Sequence, residues 1–514
     1  MQTTSARGYC ARSWWIGAAL AACCLAGCQL PNWARNGFKV GPQYEPPAAL
    51  VAEDWIDSND PRVLPQPPAF PDWWAVFNDP VIDELVQVAY QQNLTLREAG
   101  ARILQARATR GIAVGNLLPQ EQQAFGAYEH IQLSNKAALH LPLFFPRAFD
   151  NWTTGVRAAW ELDVWGRFRR AVEAADANLD ASVFEYDAIL VSLIAEVAAA
   201  YVEIRTFEQR IAYARDNVEI QTRSLERARK RAKKNKLEST GVHLAKSNLD
   251  ETLAILPVLE TGKRQAQNRL CTLLGIPPTD LASCFLGKGD GIPRTPAALE
   301  VGIPADLLRR RPDVRAAERV VAERSALIGV ATAELYPAIA VTGRIGVEAR
   351  SLDRLFTPGS TAGLIAPSFT WNVLNYGRIL NDVRLQDARL LEAIAGYQNL
   401  VLTANREVED ALIAFLNVQE TVTKLQDAVR ENRAALDELL DDYDKLGIPF
   451  APIFLLQAVL RANQDRLAEA QGQQALTMIG VYRALGGGWQ IRLPDHLSGQ
   501  AEEAPPPQEA PPAP

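Results

Sequence analysis

Six cysteines and four histidines are the side chains here best suited to ligate metal or act as nucleophiles, and their spacing supports neither use. His130, His140, His243 and His496 are scattered, and no Cys/His spacing suggests a metal site. No Gly-x-Ser-x-Gly elbow or phosphate loop is present, so an enzyme on an α/β scaffold has no motif behind it. Cys271 and Cys284 stand close in sequence across a Pro-containing loop. In an oxidising compartment they are a possible disulfide, with two buried free thiols as the open alternative. What remains is electrostatic. Arg227, Arg229, Lys230, Arg231, Lys233, Lys234 and Lys236 form a basic run, and Asp437, Glu438, Asp441, Asp442 and Asp444 an acidic one. Such runs are either solvated helix faces or each other's partners. The net charge of −7 over 514 residues argues against nucleic acid as a partner.

The N-terminus reads as an address. Arg7 and Arg12 precede an apolar run from Trp14 to Leu25, which ends in Leu25-Ala26-Gly27-Cys28. A basic start, a short apolar segment and small residues make a secretory signal over 1–27. The sequence up to Cys28 resembles the lipobox of bacterial lipoproteins, which implies cleavage before Cys28 and its acylation with diacylglycerol and a fatty acid. Gln29 at the next position, in place of aspartate, resembles outer-membrane sorting. This covalent lipid is the only cofactor-like group expected. Secretion also counts against a nucleic-acid role for the basic run.

The rest of the chain is an internal duplication. At one offset Ala99, Ala108, Gly111, Ala113, Leu117 and Pro119 recur as Ala317, Ala326, Gly329, Ala331, Leu335 and Pro337. At a slightly shorter offset Trp160, Gly166 and Arg167 recur as Trp371, Gly377 and Arg378. Self-similarity at so long a period means two copies of one supersecondary unit. The copies occupy 93–274 and 305–489. A segment 28–92 precedes them, a Pro/Gly-rich linker 275–304 joins them, and 490–514 is a tail whose Pro/Ala/Glu-rich end, from Gln500, reads as disordered.

Each copy holds strands and unusually long helices. Trp152, Thr154, Val156, Ala158, Trp160 and Leu162 alternate with polar positions over Asn151 to Asp163, and Ala338 to Arg350 alternates likewise. Gln122 to Ile131 and Ala362 to Val373 are weaker candidates, and Pro367 counts against an ideal strand. These lengths suit the roughly 9–11 residues that cross a bilayer as a tilted strand. Four strands cannot close a barrel and open edges cannot face lipid, so membrane strands would have to be pooled among several chains. No later stretch offers 18 consecutive apolar residues, which excludes a transmembrane helix after residue 28. Arg167 to Thr240 contains no Gly or Pro, and Arg378 to Leu446 only Gly396, so each should form one helix of about 100 Å. Asn235 and Gly241, or Gly447 and Pro449, should reverse the chain into a returning helix, Gly241 to Leu274 or Phe450 to Leu485. Shorter helices, Leu94 to Leu118 and Val314 to Leu335, precede the strands. Hairpins rooted in amphipathic strands suggest a membrane pore extended by a tunnel.

Several motifs resemble the TolC-like outer membrane efflux proteins, specifically the NodT-type lipoproteins of RND-type tripartite pumps. They are Val40-Gly-Pro-Gln-Tyr44, Trp73-Trp74 with Phe77, Asp79 and Pro80, Trp160 through Arg167, Leu273-Leu-Gly-Ile-Pro-Pro278, Asp306 through Asp313, and Ala484-Leu-Gly-Gly-Gly-Trp489. The resemblance implies an α+β fold: an internally duplicated outer-membrane β-barrel, four strands per chain and 12 in a homotrimer, continuous with a periplasmic α-helical barrel. It implies a passive exit duct that works with a periplasmic adaptor and an inner-membrane RND-type transporter in the outer membrane of a Gram-negative bacterium. The competing reading is a periplasmic adaptor or scaffold, which also uses helical hairpins but only one of them.

A duct must be closed at rest, and the hairpin turns are where a gate is expected. Its candidate residues are Asp441, Asp442, Tyr443, Asp444 and Gln457 from the second copy, with Arg231, Lys233 and Lys234 from the first. Pairing between the basic and acidic runs would hold the aperture closed, with each exposed pair contributing only about 0–1 kcal/mol. The chain departs from its relatives here. Gln457 stands where the resemblance leads one to expect a gate aspartate, and Thr240-Gly241-Val242 where it leads one to expect Leu-Asp-Val.

Overall fold

The computed structural model describes residues 30–66, 71–134, 146–234, 239–281, 291–446 and 448–493. In chain order the main elements are α1 (Leu30–Arg35), β1 (Val63–Leu64), α2 (Pro80–Gln92), α3 (Leu94–Gly115), β2 (Glu121–Gln132), β3 (Ala148–Leu162), α4 (Arg167–Lys234) and α5 (Ser239–Leu273). There follow β4 (Leu299–Glu300), α6 (Leu307–Arg310), α7 (Pro312–Ala333), β5 (Ala338–Ala349), β6 (Thr361–Thr370), α8 (Arg378–Lys445) and α9 (Ala451–Ala484). The helices α4 and α8 run 68 residues each, about 100 Å at 1.5 Å per residue.

The chain divides into two units. The first comprises the described residues of Met1–Pro47, Ile103–Ala181 and Ala317–Tyr397. At its centre is an antiparallel sheet in the order β2-β3-β5-β6. Pro367 lies inside β6 and tolerates it because β6 is an edge strand, where a missing N–H need not break the ladder. The duplication is visible in the bonding. Trp160 donates its indole N–H to the Leu117 carbonyl at 3.2 Å, and Trp371 does the same to Leu335 at 3.0 Å. Gly166 and Gly377 both take left-handed backbone, φ +82° and +81°, at the entries to α4 and α8. The α4 entry is also capped by Asp163, whose carboxylate accepts from the Phe168 and Arg169 amides at 3.0 Å each. The segment after α1 is pinned to this unit. Gly41 (φ +85°) abuts Gly329, where a Cβ would come within 2.4 Å of the neighbouring Cα. Arg170 donates to the Val40 carbonyl at 3.0 Å, and the Tyr44 hydroxyl to Glu318 at 2.8 Å.

The second unit comprises the described residues of Ala48–Arg102, Ser182–Ala316 and Gln398–Pro514. Its core is a set of heptad seams. Leu190, Ile194, Val197, Tyr201 and Ile204 on α4, and Val401, Ala404, Val408, Leu412 and Phe415 on α8, are essentially buried at spacings of three and four residues. The short helix α2 is an element that the motif reading leaves unassigned. Asp79 accepts from the Val81 amide at 3.0 Å, Pro80 sits at its first turn, and Val81, Ile82, Leu85, Val86 and Ala89 are buried. The parallel pair β1–β4 joins the segment before the first copy to the end of the linker.

One reversal residue moves. Gly241, expected in a turn, lies in the first turn of α5. There a Cβ would meet Phe450 at 3.1 Å, so the glycine serves a close approach rather than a turn. Gly447 and Asn235 fall outside the described residues.

Candidate functional site

The sheet has two chemically different faces, and the register assigns every residue to one of them. Opposite residues in a ladder share a face. Trp152, Val156, Trp160 and Leu162 of β3 therefore share one with Ile339, Val341, Ile345 and Val347 of β5, Ile365 and Phe369 of β6, and Ala124 and Tyr128 of β2. This face is apolar yet open: Val156 is 54% exposed, Ile345 59% and Ile365 79%. Its aromatic residues lie at the two ends. Tyr128 and Trp152 are 4.5 Å apart at the end away from the helices, with Trp160 and Phe369 at the other. An apolar band between aromatic girdles is the outer surface of a membrane barrel. The opposite face carries Glu121, Gln123, Glu129, Arg157, Glu161, Arg344 and Glu348, which suit water. Among the described residues, β2 and β6 each have one unpaired edge.

The hairpin ends form a second candidate site, within the second unit. Leu225, Ala228, Ala245, Leu436, Tyr443, Phe450, Ile453 and Leu460 make one apolar cluster there, drawn from α4, α5, α8, α9 and the residue that precedes α9. Arg231 closes it, donating to the Tyr443 and Ile448 carbonyls at 3.1 Å each, with its guanidinium 4.5 Å above the Tyr443 ring. Arg227 pairs with Asp444 at 3.1 Å. Asp441 pairs along its own helix with Lys445 at 3.1 Å and is well exposed, Asp442 is half-buried, and Lys233 is exposed. Lys234 ends α4. Gln457 is not on an open surface: it is 1% exposed, accepts from Asn248 at 3.2 Å and donates to Ser224 at 2.7 Å.

Motif residues that carry no chemistry converge on a structural knot in the same unit. Arg311 is buried and chelates Asp313 (3.0 and 2.7 Å) while donating to Glu407 (2.8 Å) and to the Ala484 carbonyl (2.9 Å). Gly486 and Gly488, both left-handed, lie against Arg311 and against Trp73 and Trp74. Trp73 stacks on Tyr482 at 5.3 Å. Burial pushes the Tyr482 hydroxyl up to about 12. Cys271 is a free, fully buried thiol 3.7 Å from the Thr279 carbonyl. The bond to Cys284 left open by the sequence is thus not made at Cys271, whose burial is that of a small apolar side chain. Cys284 and Cys28, the latter the lipid-attachment residue expected from the sequence, fall outside the described residues.

The profile of the Outer membrane efflux protein family matches residues 85–276 and 303–487. The chain belongs to the outer membrane efflux protein family. It is 30% identical over 464 residues to Nodulation protein T of Rhizobium leguminosarum bv. trifolii, covering 88% of this chain and 95% of that one. It is also 30% identical over 476 residues to the pyoverdine export outer membrane protein OpmQ of Pseudomonas putida, covering 91% and 96%. Its fold is similar to that of the outer-membrane channel OprN, with a TM-score of 0.81 at 29% identity over 88% of this chain and 99% of that one. This outer membrane efflux protein is therefore a channel of the outer membrane with the TolC-like α+β fold. The adaptor reading lapses, because an outer-membrane channel is matched over nearly its whole length. No helix among the described residues is long and apolar enough to cross a membrane.

Proposed function

We propose that three copies of the chain close a 12-stranded barrel, held to the outer membrane also by diacylglycerol and fatty acyl groups on Cys28. In this reading the chain is the passive exit duct of a tripartite pump. A periplasmic adaptor couples it to an inner-membrane RND-type transporter, which supplies the energy and passes drugs or other small toxic compounds into it. The duct performs no catalytic step and needs no metal or dissociable cofactor.

The observation that carries the reading is the sheet: one apolar face in the open, one polar face, and two unpaired edges. Such a sheet is untenable alone in lipid and complete only when copies pool their strands. Because the four strands alternate in direction, β2 and β6 run antiparallel, and successive copies can pair edge to edge in the same sense. Native mass spectrometry of the detergent-extracted mature protein tests it. A trimer whose subunits each carry the lipid mass, lost in Cys28→Ser, is expected. A monomer would overturn the barrel, and an unmodified Cys28 the anchor.

A further inference from the structure

The polar face of the sheet is not uniformly mixed. Read across the ladder, one row runs Gln123, Arg157, Arg344, Leu364. It holds two guanidinium groups on directly opposed residues and no carboxylate. The next row away from the helices runs Phe125, Gly155, Gly346, Ala362. Its two glycines face each other so closely that a Cβ on either would stand 2.4 Å from a backbone oxygen across the ladder. The arginines thus sit beside a stretch of wall with no side chain on β3 or β5. On the other side, Glu121 reaches Arg157 only at 3.6 Å, and Gln123 accepts from the Arg157 Nε at 3.0 Å. Among the described residues Arg344 forms no ion pair and is exposed. Like charges on directly opposed residues, whose Cβ atoms lie about 5 Å apart, weaken a ladder. Gln123 also accepts from the Arg157 Nη2, so an anion lying between the two guanidinium groups would relieve that repulsion by accepting from Arg344 and from the Nη1 of Arg157.

We propose that Arg157 and Arg344 form an anion-contact band inside the barrel, a specificity-determining site that favours passage of anionic solutes such as organic carboxylates and phosphates. The proposal rests on the barrel reading above, in which each copy adds its pair at the same height. Arg157 is five residues from Trp152 and three from Trp160, so the band lies between the two aromatic levels. A charged ring at one depth of a water-filled pore selects by sign, and one flanked by glycines leaves solutes room to slide past. Binding there need only be weak, because a duct must release what it admits.

The test uses full-length lipidated protein in a planar bilayer. Reversal potentials are measured under a KCl gradient, and block of the current is measured with inorganic tripolyphosphate added on the barrel side. Wild type should favour chloride, and tripolyphosphate should block it. The double variant Arg157→Gln/Arg344→Gln should shift toward potassium and lose tripolyphosphate affinity by roughly tenfold or more, the loss of charge-assisted contacts. Arg157→Lys/Arg344→Lys should keep most of both. A wild-type pore whose selectivity and block are unchanged in the glutamine variant overturns the band alone. A protein that forms no pore even when the tip is opened by Arg231→Ala with Asp444→Arg overturns the barrel reading and the band with it.

Discussion

Arg311 is a buried residue whose one side chain makes four hydrogen bonds. Its guanidinium links the start of α7 to α8 and to the end of α9. Arg311→Ala should destabilise the protein by about 1–3 kcal/mol, because it leaves a buried carbonyl unsatisfied while the unpaired Glu407 and Asp313 carboxylates keep part of their hydration. Arg311→Lys should rescue little of this, since an ammonium cannot reproduce the fork. Thermal unfolding of both variants checks it. This role was only half legible in the sequence. The Arg-Arg-Pro-Asp motif marked the position, but its partners Glu407 and Ala484 lie far along the chain and come together only on folding. A pH effect belongs to Glu173. Burial acts to raise its pKa, but hydrogen bonds from Lys39 and Arg170 outweigh that and hold the carboxyl below its ordinary value. Its contribution is therefore present above the ordinary carboxylate range and is lost as the pH falls through the lowered value. The segment around Lys39 should loosen on acidification, seen as a change in Trp33 fluorescence, since Trp33 packs 5.5 Å from Trp165. Glu173→Gln should abolish that transition.

At the scale of elements, the helix seams alternate apolar residues with amides. Asn217 and Ser224 on α4 are seven residues apart, as are their partners Gln464 and Gln457 on α9. Buried polar positions at heptad spacing fix register at a cost in stability. Gln221, between Asn217 and Ser224 on the same helix face, is 1% exposed and neither of its amide atoms has a partner among the described residues. Gln221→Leu should therefore raise stability by about 1–2 kcal/mol, measured by chemical denaturation, whereas a fall would mean that the amide is satisfied by bound water. The same seam holds Gln457, a gate candidate from the sequence. The motif comparison gave its place near the tip, but which face of α9 meets α4 and α5 is a tertiary fact. Helix existence was legible from seventy residues almost free of Gly and Pro; the partner of each face was not. At the tip, Arg231 and Asp444 hold α4 to α8, while Asp441 is occupied on its own helix. Arg231→Ala with Asp444→Arg should raise single-channel conductance severalfold. Asp441→Lys with Asp442→Lys should change it less. The reverse order would return the gate to the outward acidic run.

For the whole molecule, membrane insertion depends on the two faces of the sheet remaining distinct. Strand alternation was readable for β3 and β5, and weakly for β2 and β6, but only the register shows that all four strands turn their apolar residues the same way. Adjacent residues of β6 then make a sharp comparison. Ile365 lies on the apolar face and Leu364 on the polar one, beside Arg344. Ile365→Arg would place a guanidinium in hydrocarbon at a cost of about 2–4 kcal/mol per chain, repeated in every copy of the assembly. Leu364→Arg would put the same charge into water, at the expense only of repulsion from Arg344. Ile365→Arg should accordingly lower the yield of assembled protein in the outer-membrane fraction at least tenfold, while Leu364→Arg should leave it within about twofold of wild type. The two substitutions share residue type, strand and edge position, so any difference between them reports which side of the sheet meets lipid. Yields near wild type in both would mean that the sheet does not separate lipid from water, and equal loss in both would point to folding of β6 itself.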